Sequence, residues 1–183
     1  DSKRKKALDK VLGKEALLLV GSPMCRSFSQ LQRWNHGKMD PNKVESMKKE
    51  GRRHLEFCTL LYKLQVDMGL YFLHEHPWGA SSWQEPCMQD MLNNQGVEVT
   101  KGDMCCFGMF QEREGKTELV KKSTGFMTNA KCIAEELGQQ CRGGHRHIHL
   151  LNGRAHRAEV YPEELCWRIL KGLIQQCKYD GRI

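Results

Sequence analysis

Two short apolar runs with one long amphipathic segment between them constrain this chain more than any other feature. The run from Glu15 to Gly21 ends in Gly-Ser-Pro, the pattern of a buried strand entering a loop. Asp40-Pro41 is a strong helix start. From there Val44, Met47, His54 or Leu55, Cys58, Leu61 or Tyr62, Gln65 and Met68 recur at helical spacings, three or four apart except for the longer gap across Gly51. That spacing predicts one long helix ending at Gly69, with Gly51 a weak point inside it. Leu70 to Leu73 predicts a second buried strand, running into His74-Glu75-His76-Pro77. Strand, helix, strand is the pattern of an open α/β sheet. In such sheets the ligand site lies beyond the carboxyl ends of the strands. The loops Pro23-Met24-Cys25 and Glu75-His76-Pro77 would then project into one crevice if the two strands are neighbours.

The remaining elements follow the same logic. Residues 3–13 read as a short basic helix and 84–94 as a second helix stopping near Gly96. Val97 to Lys101 predicts a third strand, with Leu119 to Lys121 and Phe126 to Thr128 as short strands. Residues 130–138 and Glu163 to Gln176 read as helices, the latter with Leu165, Ile169, Leu170 and Leu173 on one side. No internal repeat or low-complexity tract interrupts this order, so 1–183 is expected to form a single domain.

Composition narrows the partners. The chain has 29 Lys and Arg against 22 Asp and Glu, a formal charge of +7, and 39% hydrophobic residues, enough to bury a core. Lys3, Arg4, Lys5, Lys6 and Lys10 form one basic cluster, and Lys43, Lys48, Lys49, Arg52 and Arg53 a second. Arg142, Arg146, Arg154 and Arg157 form a third, interleaved with His145, His147, His149 and His156. Such patches suit a polyanion, with nucleic acid, and DNA first, the expected partner; solvated helix faces are the alternative for the first two clusters. The longest uninterrupted apolar run, Ala16 to Val20, is far too short to span a bilayer, so no membrane partner is expected. The opening Asp-Ser-Lys-Arg-Lys-Lys has neither Met nor an apolar signal region, which points to a piece of a longer polypeptide. Nine scattered cysteines, an odd number in a helix-rich chain, suggest reduced thiols in an intracellular setting, with the nucleus expected from the partner.

Two residues carry the sharpest chemistry. A cysteine on a tight loop at a strand end, near a helix N-terminus, can be held as a thiolate, and Arg26 would add to the effect on Cys25. Glu75, at the end of the next strand beside Pro77 and Trp78, would have a raised pKa and act as an acid or hydrogen-bond donor. A buried thiol closing a loop and a carboxylate capping a turn are the structural alternatives.

The segment Gly21-Ser22-Pro23-Met24-Cys25-Arg26-Ser27-Phe28-Ser29 resembles the catalytic loop of DNA cytosine-5 methyltransferases, Gly-x-Pro-Pro-Cys-x-x-Phe-Ser. Phe72-Leu73-His74-Glu75-His76-Pro77 resembles the family's second signature, a strand ending in Glu-Asn-Val or Glu-Asn-Pro. The resemblance implies Cys25 as the nucleophile on C6 of a flipped cytosine and Glu75 as the acid holding N3 and the exocyclic amine. Gln111-Glu112-Arg113 matches part of a third signature, which would make Arg113 a further catalytic residue. Ser22, Arg26 and Ser29 on the loop, with Arg146 and Arg154 in the third basic cluster, would contact nucleic acid. The implied fold is a partial Rossmann-like methyltransferase open sheet with flanking helices. The implied cofactor is S-adenosylmethionine, whose glycine-rich binding motif is absent from the residues before Cys25. Met24 and His76 depart from the family pattern. The stretch from Lys121 to Asn129 and on to His147 also resembles methyltransferase-like segments of retroelement polyproteins. Two functions follow: an incomplete cytosine-5 methyltransferase-like core, or a non-catalytic nucleic-acid-binding or structural domain of a larger polyprotein.

Cys141, His145 and His147 are candidate metal ligands, with zinc the candidate ion; a basic strand contacting phosphate or solvent is the alternative. A strand would put His145, His147 and His149 on one face, and Cys132, Cys105 or Cys106 would complete a tetrahedron. Trp78 and Trp83 flank a small loop and are expected to pack it onto the core.

Overall fold

The computed structural model describes residues 2–29, 37–113, 115–148, 150 and 156–183. Arg113 is described through its backbone alone, and Arg154 and His149 lie outside the described residues. The chain is mixed α/β, and its described strands form one sheet of four and a second of three. Helix α1 (Ser2–Leu12) precedes β1 (Leu18–Gly21). Helix α2 (Pro41–Asp67) opens with Asp40, whose side chain accepts from the Asn42 N–H at 2.9 Å, and with Pro41 pre-set for the first turn. It delivers the chain to β2 (Tyr71–Pro77), which lies parallel to β1 with Gly21 opposite His74.

Beyond this parallel pair the sheet reverses. β6 (Ser123–Thr128) is antiparallel both to β2 and to β3 (Glu98–Asp103). A short helix, α3 (Pro86–Leu92), links β2 to β3. The smaller sheet joins β4 (Phe110–Arg113), β5 (Lys116–Val120) and the two-residue β7 (His147–Ile148). Helices α4 (Lys131–Leu137) and α5 (Glu163–Tyr179) complete the chain.

Strand alternation divides the core into two layers. Phe72 and Met127 face α2 and α3 and pack with Leu55, Tyr62, Met88, Met91 and Trp83. Leu73 and Phe126 face the other way, against Ile133 and Leu137 of α4 and Leu165 and Ile169 of α5. Val120 and Ile148 of the small sheet enter this second layer. Phe72, Leu73, Phe126 and Met127 are fully buried, and each such side chain contributes about 2 kcal/mol of transfer free energy. Gly172 lets α5 cross α4 closely: a Cβ there would sit 2.7 Å from Ile133 Cα.

Several expectations need correction. The second strand does not end at Leu73; it runs through Glu75 to Pro77, because β6 pairs with it from Leu73 to Pro77. No strand was expected around Gln111, yet Phe110–Arg113 is a strand with Gln111 buried, and Gly115 lies in a turn with a φ of 74°. His145 lies outside any strand, so the three-histidine strand face does not form; only His147 and Ile148 pair, with β5. Gly51 is not merely a weak point: the Cys25 loop presses on it, and a Cβ there would meet Ser27 Oγ at 2.9 Å.

Candidate functional site

The parallel register of β1 and β2 puts the loop leaving Gly21 next to the second half of β2. Gly21 allows this approach, since a Cβ at that position would lie 1.8 Å from the Tyr62 hydroxyl oxygen. Ser22 Oγ donates to Glu75 Oε2 at 2.5 Å. The Glu75 carboxylate is 4% exposed and has two further donors. Lys122 Nζ, just after β5, reaches Oε1 at 3.2 Å, and the Tyr161 hydroxyl, just before α5, donates to Oε2 at 3.3 Å. Lys122 Nζ also donates to the Ala158 carbonyl at 3.4 Å. A buried carboxylate is tolerable here because a cation and two hydroxyls satisfy it.

Cys25 joins this cluster electrostatically. Burial pushes its thiol up, the Lys122 ammonium pulls it down, and Glu75 and Glu159 push it up again. Burial prevails, so Cys25 is a thiol rather than the expected preformed thiolate. Arg26 is exposed, and residues 26–28 form a turn closed by the Phe28 N–H donating to the Cys25 carbonyl at 2.9 Å. Ser27 Oγ anchors the turn to the Met47 carbonyl of α2 at 2.8 Å.

The opposite face of β2 holds two buried histidines. His74 Nδ1 lies 3.0 Å from the Tyr62 hydroxyl, and His76 Nδ1 lies 2.5 Å from Ser82 Oγ. Their Nε2 atoms have no partner among the described residues. Burial lowers His74 well below the ordinary range. Burial likewise lowers His76 to about 4, against an opposing pull from Glu75. Trp83 donates its indole N–H to the Pro77 carbonyl at 2.9 Å and packs the loop inward as expected, while Trp78 is 44% exposed.

A second cluster lies where β3, α4 and β7 meet. One ligand atom each from Cys105, Cys141, His145 and His147 all fall within 4.8 Å of one another. This group can hold a metal ion. Cys105, on the turn Met104–Phe107, supplies the fourth position; Cys106 and Cys132 do not belong to the group. Cys141 Sγ lies 3.6 Å from His145 Nε2 and 3.5 Å from His147 Nε2. Gly143 and Gly144 both take φ of 85°, a left-handed path that folds His145 back onto Cys141.

Asp103 ties the two clusters together. It accepts from Ser123 Oγ at 2.5 Å and from the Cys141 N–H at 2.9 Å, while the Met104 N–H donates to the Lys122 carbonyl at 3.1 Å. Burial would raise Asp103, but the hydrogen bonds from Ser123 and Cys141, with Lys121 and Lys101 nearby, outweigh it and lower the carboxyl.

Ser22, Cys25 and Glu75 are thus brought together, and Ser29 lies four residues beyond Cys25. Arg146 is exposed beside the metal-ligating cluster. Arg113 sits in β4 of the small sheet, paired with Lys116. Lys122 and Tyr161 were missed by sequence reasoning. Tyr161-Pro162 directly precedes the helix expected from Glu163, and Lys122 lies in the stretch from Lys121 to Asn129; neither carries a local signal for a carboxylate partner.

The chain matches no protein-family model, no curated protein and no solved structure. Among the described residues no helix is long and apolar enough to cross a membrane.

Proposed function

We propose that this chain is the base-handling core of a cytosine-5 methyltransferase-like protein acting on nucleic acid, with DNA first. In this reading the parallel β1–β2 pair belongs to a partial Rossmann-like sheet. One observation carries the reading: the Ser22–Glu75 hydrogen bond joins the loop leaving β1 to the second half of its parallel neighbour β2, with Cys25 three residues beyond Ser22. That is the place where open α/β sheets put ligands. Cys25 adds to C6 of a flipped cytosine. The Sγ–C6 bond forms as the C5=C6 electron pair moves onto C5, which takes up the proton that Sγ gives up, with the Lys122 ammonium favouring the thiolate as it develops. Glu75 receives the exocyclic amine in place of the long Tyr161 contact.

S-adenosylmethionine, the donor implied by resemblance, finds no glycine-rich strand turn among the described residues before β1. The chemistry assigned to these residues is therefore the addition alone. The raised Cys25 thiol favours a second reading, a non-catalytic nucleic-acid-binding or structural domain of a larger polyprotein.

DNA containing 5-azacytosine separates the two, because it accepts a thiol without a methyl donor: the C6 electron pair moves to N5, which takes the proton. A denaturant-stable adduct that disappears in Cys25→Ser supports the first reading. DNA binding without an adduct supports the second. Failure to bind DNA removes the first reading and leaves of the second only the structural domain.

The metal-ligating group takes zinc in this reading. Two thiols and two imidazoles are borderline-soft donors, and four of them favour tetrahedral Zn²⁺ over the oxygen-seeking Mg²⁺ and Ca²⁺.

A further inference from the structure

We propose that Cys105, Cys141, His145 and His147 form a closed, structural zinc centre that fastens β7, and through it the small sheet, to the end of β3. This rests on zinc as the ion named above and adds its geometry and its role.

The distances already fit the ion. Zn–S bonds of about 2.3 Å and Zn–N bonds of about 2.05 Å at tetrahedral angles give sulfur–nitrogen edges of about 3.6 Å. The two edges from Cys141 are 3.6 Å and 3.5 Å. The His145 and His147 rings meet edge to face, with centroids 4.4 Å apart, so each can aim one nitrogen at a common point. Four protein ligands leave no open position, which distinguishes a structural centre from a catalytic one. The surroundings suit a ligating thiolate. Gly143 N–H donates to Cys141 Sγ at 3.3 Å, and Asp103 orients Cys141 through its backbone N–H.

The role follows from where the ligands sit. Cys105 lies on the turn directly after β3, Cys141 on the loop after α4, and His147 inside β7. Among the described residues β7 has two residues and two register pairs, Leu119 with His147 and Val120 with Ile148. A strand that short does not hold itself in place. Its Ile148 is nonetheless buried in the layer formed by α4 and α5. A metal bonded on both sides of the junction supplies what the ladder lacks. It also braces Lys122, whose carbonyl accepts from the Met104 N–H and which lies just after β5, the strand paired with β7.

The test uses untagged protein purified without chelator. Metal analysis should find about one zinc per chain, falling to about a tenth or less in Cys141→Ser, a variant on an accessible loop that leaves the core intact. Cobalt-substituted protein should show thiolate-to-metal charge-transfer and tetrahedral d–d bands, with the charge-transfer intensity roughly halved in Cys105→Ser. Stripping the zinc should then speed amide exchange at Lys116–Val120 and Ile148 by about tenfold or more, with α2 unchanged. No zinc, even after zinc is added, overturns both the zinc reading and this role. Stoichiometric zinc whose removal leaves exchange in β5 and β7 unaltered overturns the role and leaves the zinc reading standing.

Discussion

Lys122 Nζ stands 3.2 Å from Glu75 Oε1, an ion pair whose carboxylate is 4% exposed and whose ammonium is 19% exposed. Two residues far apart in sequence meet behind the β1 loop, and each keeps the other from being a lone buried charge. Lys122→Met should therefore cost more than an ordinary surface change, about 3 kcal/mol, since it strands a buried carboxylate. Urea unfolding measures it. The double variant Lys122→Met with Glu75→Gln should recover at least about half of the loss. Equal stability of the single and double variants would refute the pairing.

The same lysine acts on Cys25. Burial raises that thiol and Lys122 partly offsets the rise, so alkylation by iodoacetamide should stay slow near neutral pH and accelerate only above the ordinary thiol value of 9.0. Lys122→Met should move the midpoint further upward. A Cys25-specific midpoint below 9 would contradict this arrangement, with Cys25→Ser providing the background rate.

Stability should fall in mild acid because of the histidines behind Glu75. Burial lowers His76 to about 4 in the folded chain, whereas the unfolded side chain titrates near 6.5. Between those values the unfolded chain binds a proton that the folded chain refuses. Stability is fully present above about pH 6.5 and declines as pH drops towards 4, by about 3 kcal/mol from this group. His74, lowered by burial and by its neighbour His76, acts in the same direction. Unfolding at pH 7.5 and at pH 4.5 should show the loss, and His76→Gln, which can keep the Ser82 contact, should flatten it. An unchanged pH slope in His76→Gln would count against the assignment.

Gly21→Ala should be poorly tolerated although the site is a strand end. The new Cβ would fall on the Tyr62 hydroxyl, so a loss of about 1–3 kcal/mol is expected. Tyr62→Phe removes the offending oxygen and should restore part of the loss in the double variant. No rescue would mean that the β1–Tyr62 contact is not what limits this position.

Local patterns carried much of the fold. The Asp40-Pro41 start, the apolar spacing of α2 and the run ending at Gly21 are short-range signals, and each appears close to its expected bounds. β4 went unread because Gln111, Glu112 and Arg113 are polar, and their strand form comes from pairing with β5. The end of β2 was placed too early for a related reason: His74, Glu75 and His76 are polar, yet pairing with β6 and buried partners carry them into the sheet.

The sequence by itself determined the helices, the parallel strand pair and the meeting of the Cys25 loop with Glu75, because one helix returning the chain to a neighbouring strand leaves little other choice. It also marked Cys141, His145 and His147 as possible ligands. Only the tertiary structure decided that Cys105 is the fourth, and that Lys122 and Tyr161 close around the carboxylate. Those partners lie 36, 47 and 86 residues from the groups they meet. No periodicity spans such separations; the packing of the two sheets and α5 against one core sets them.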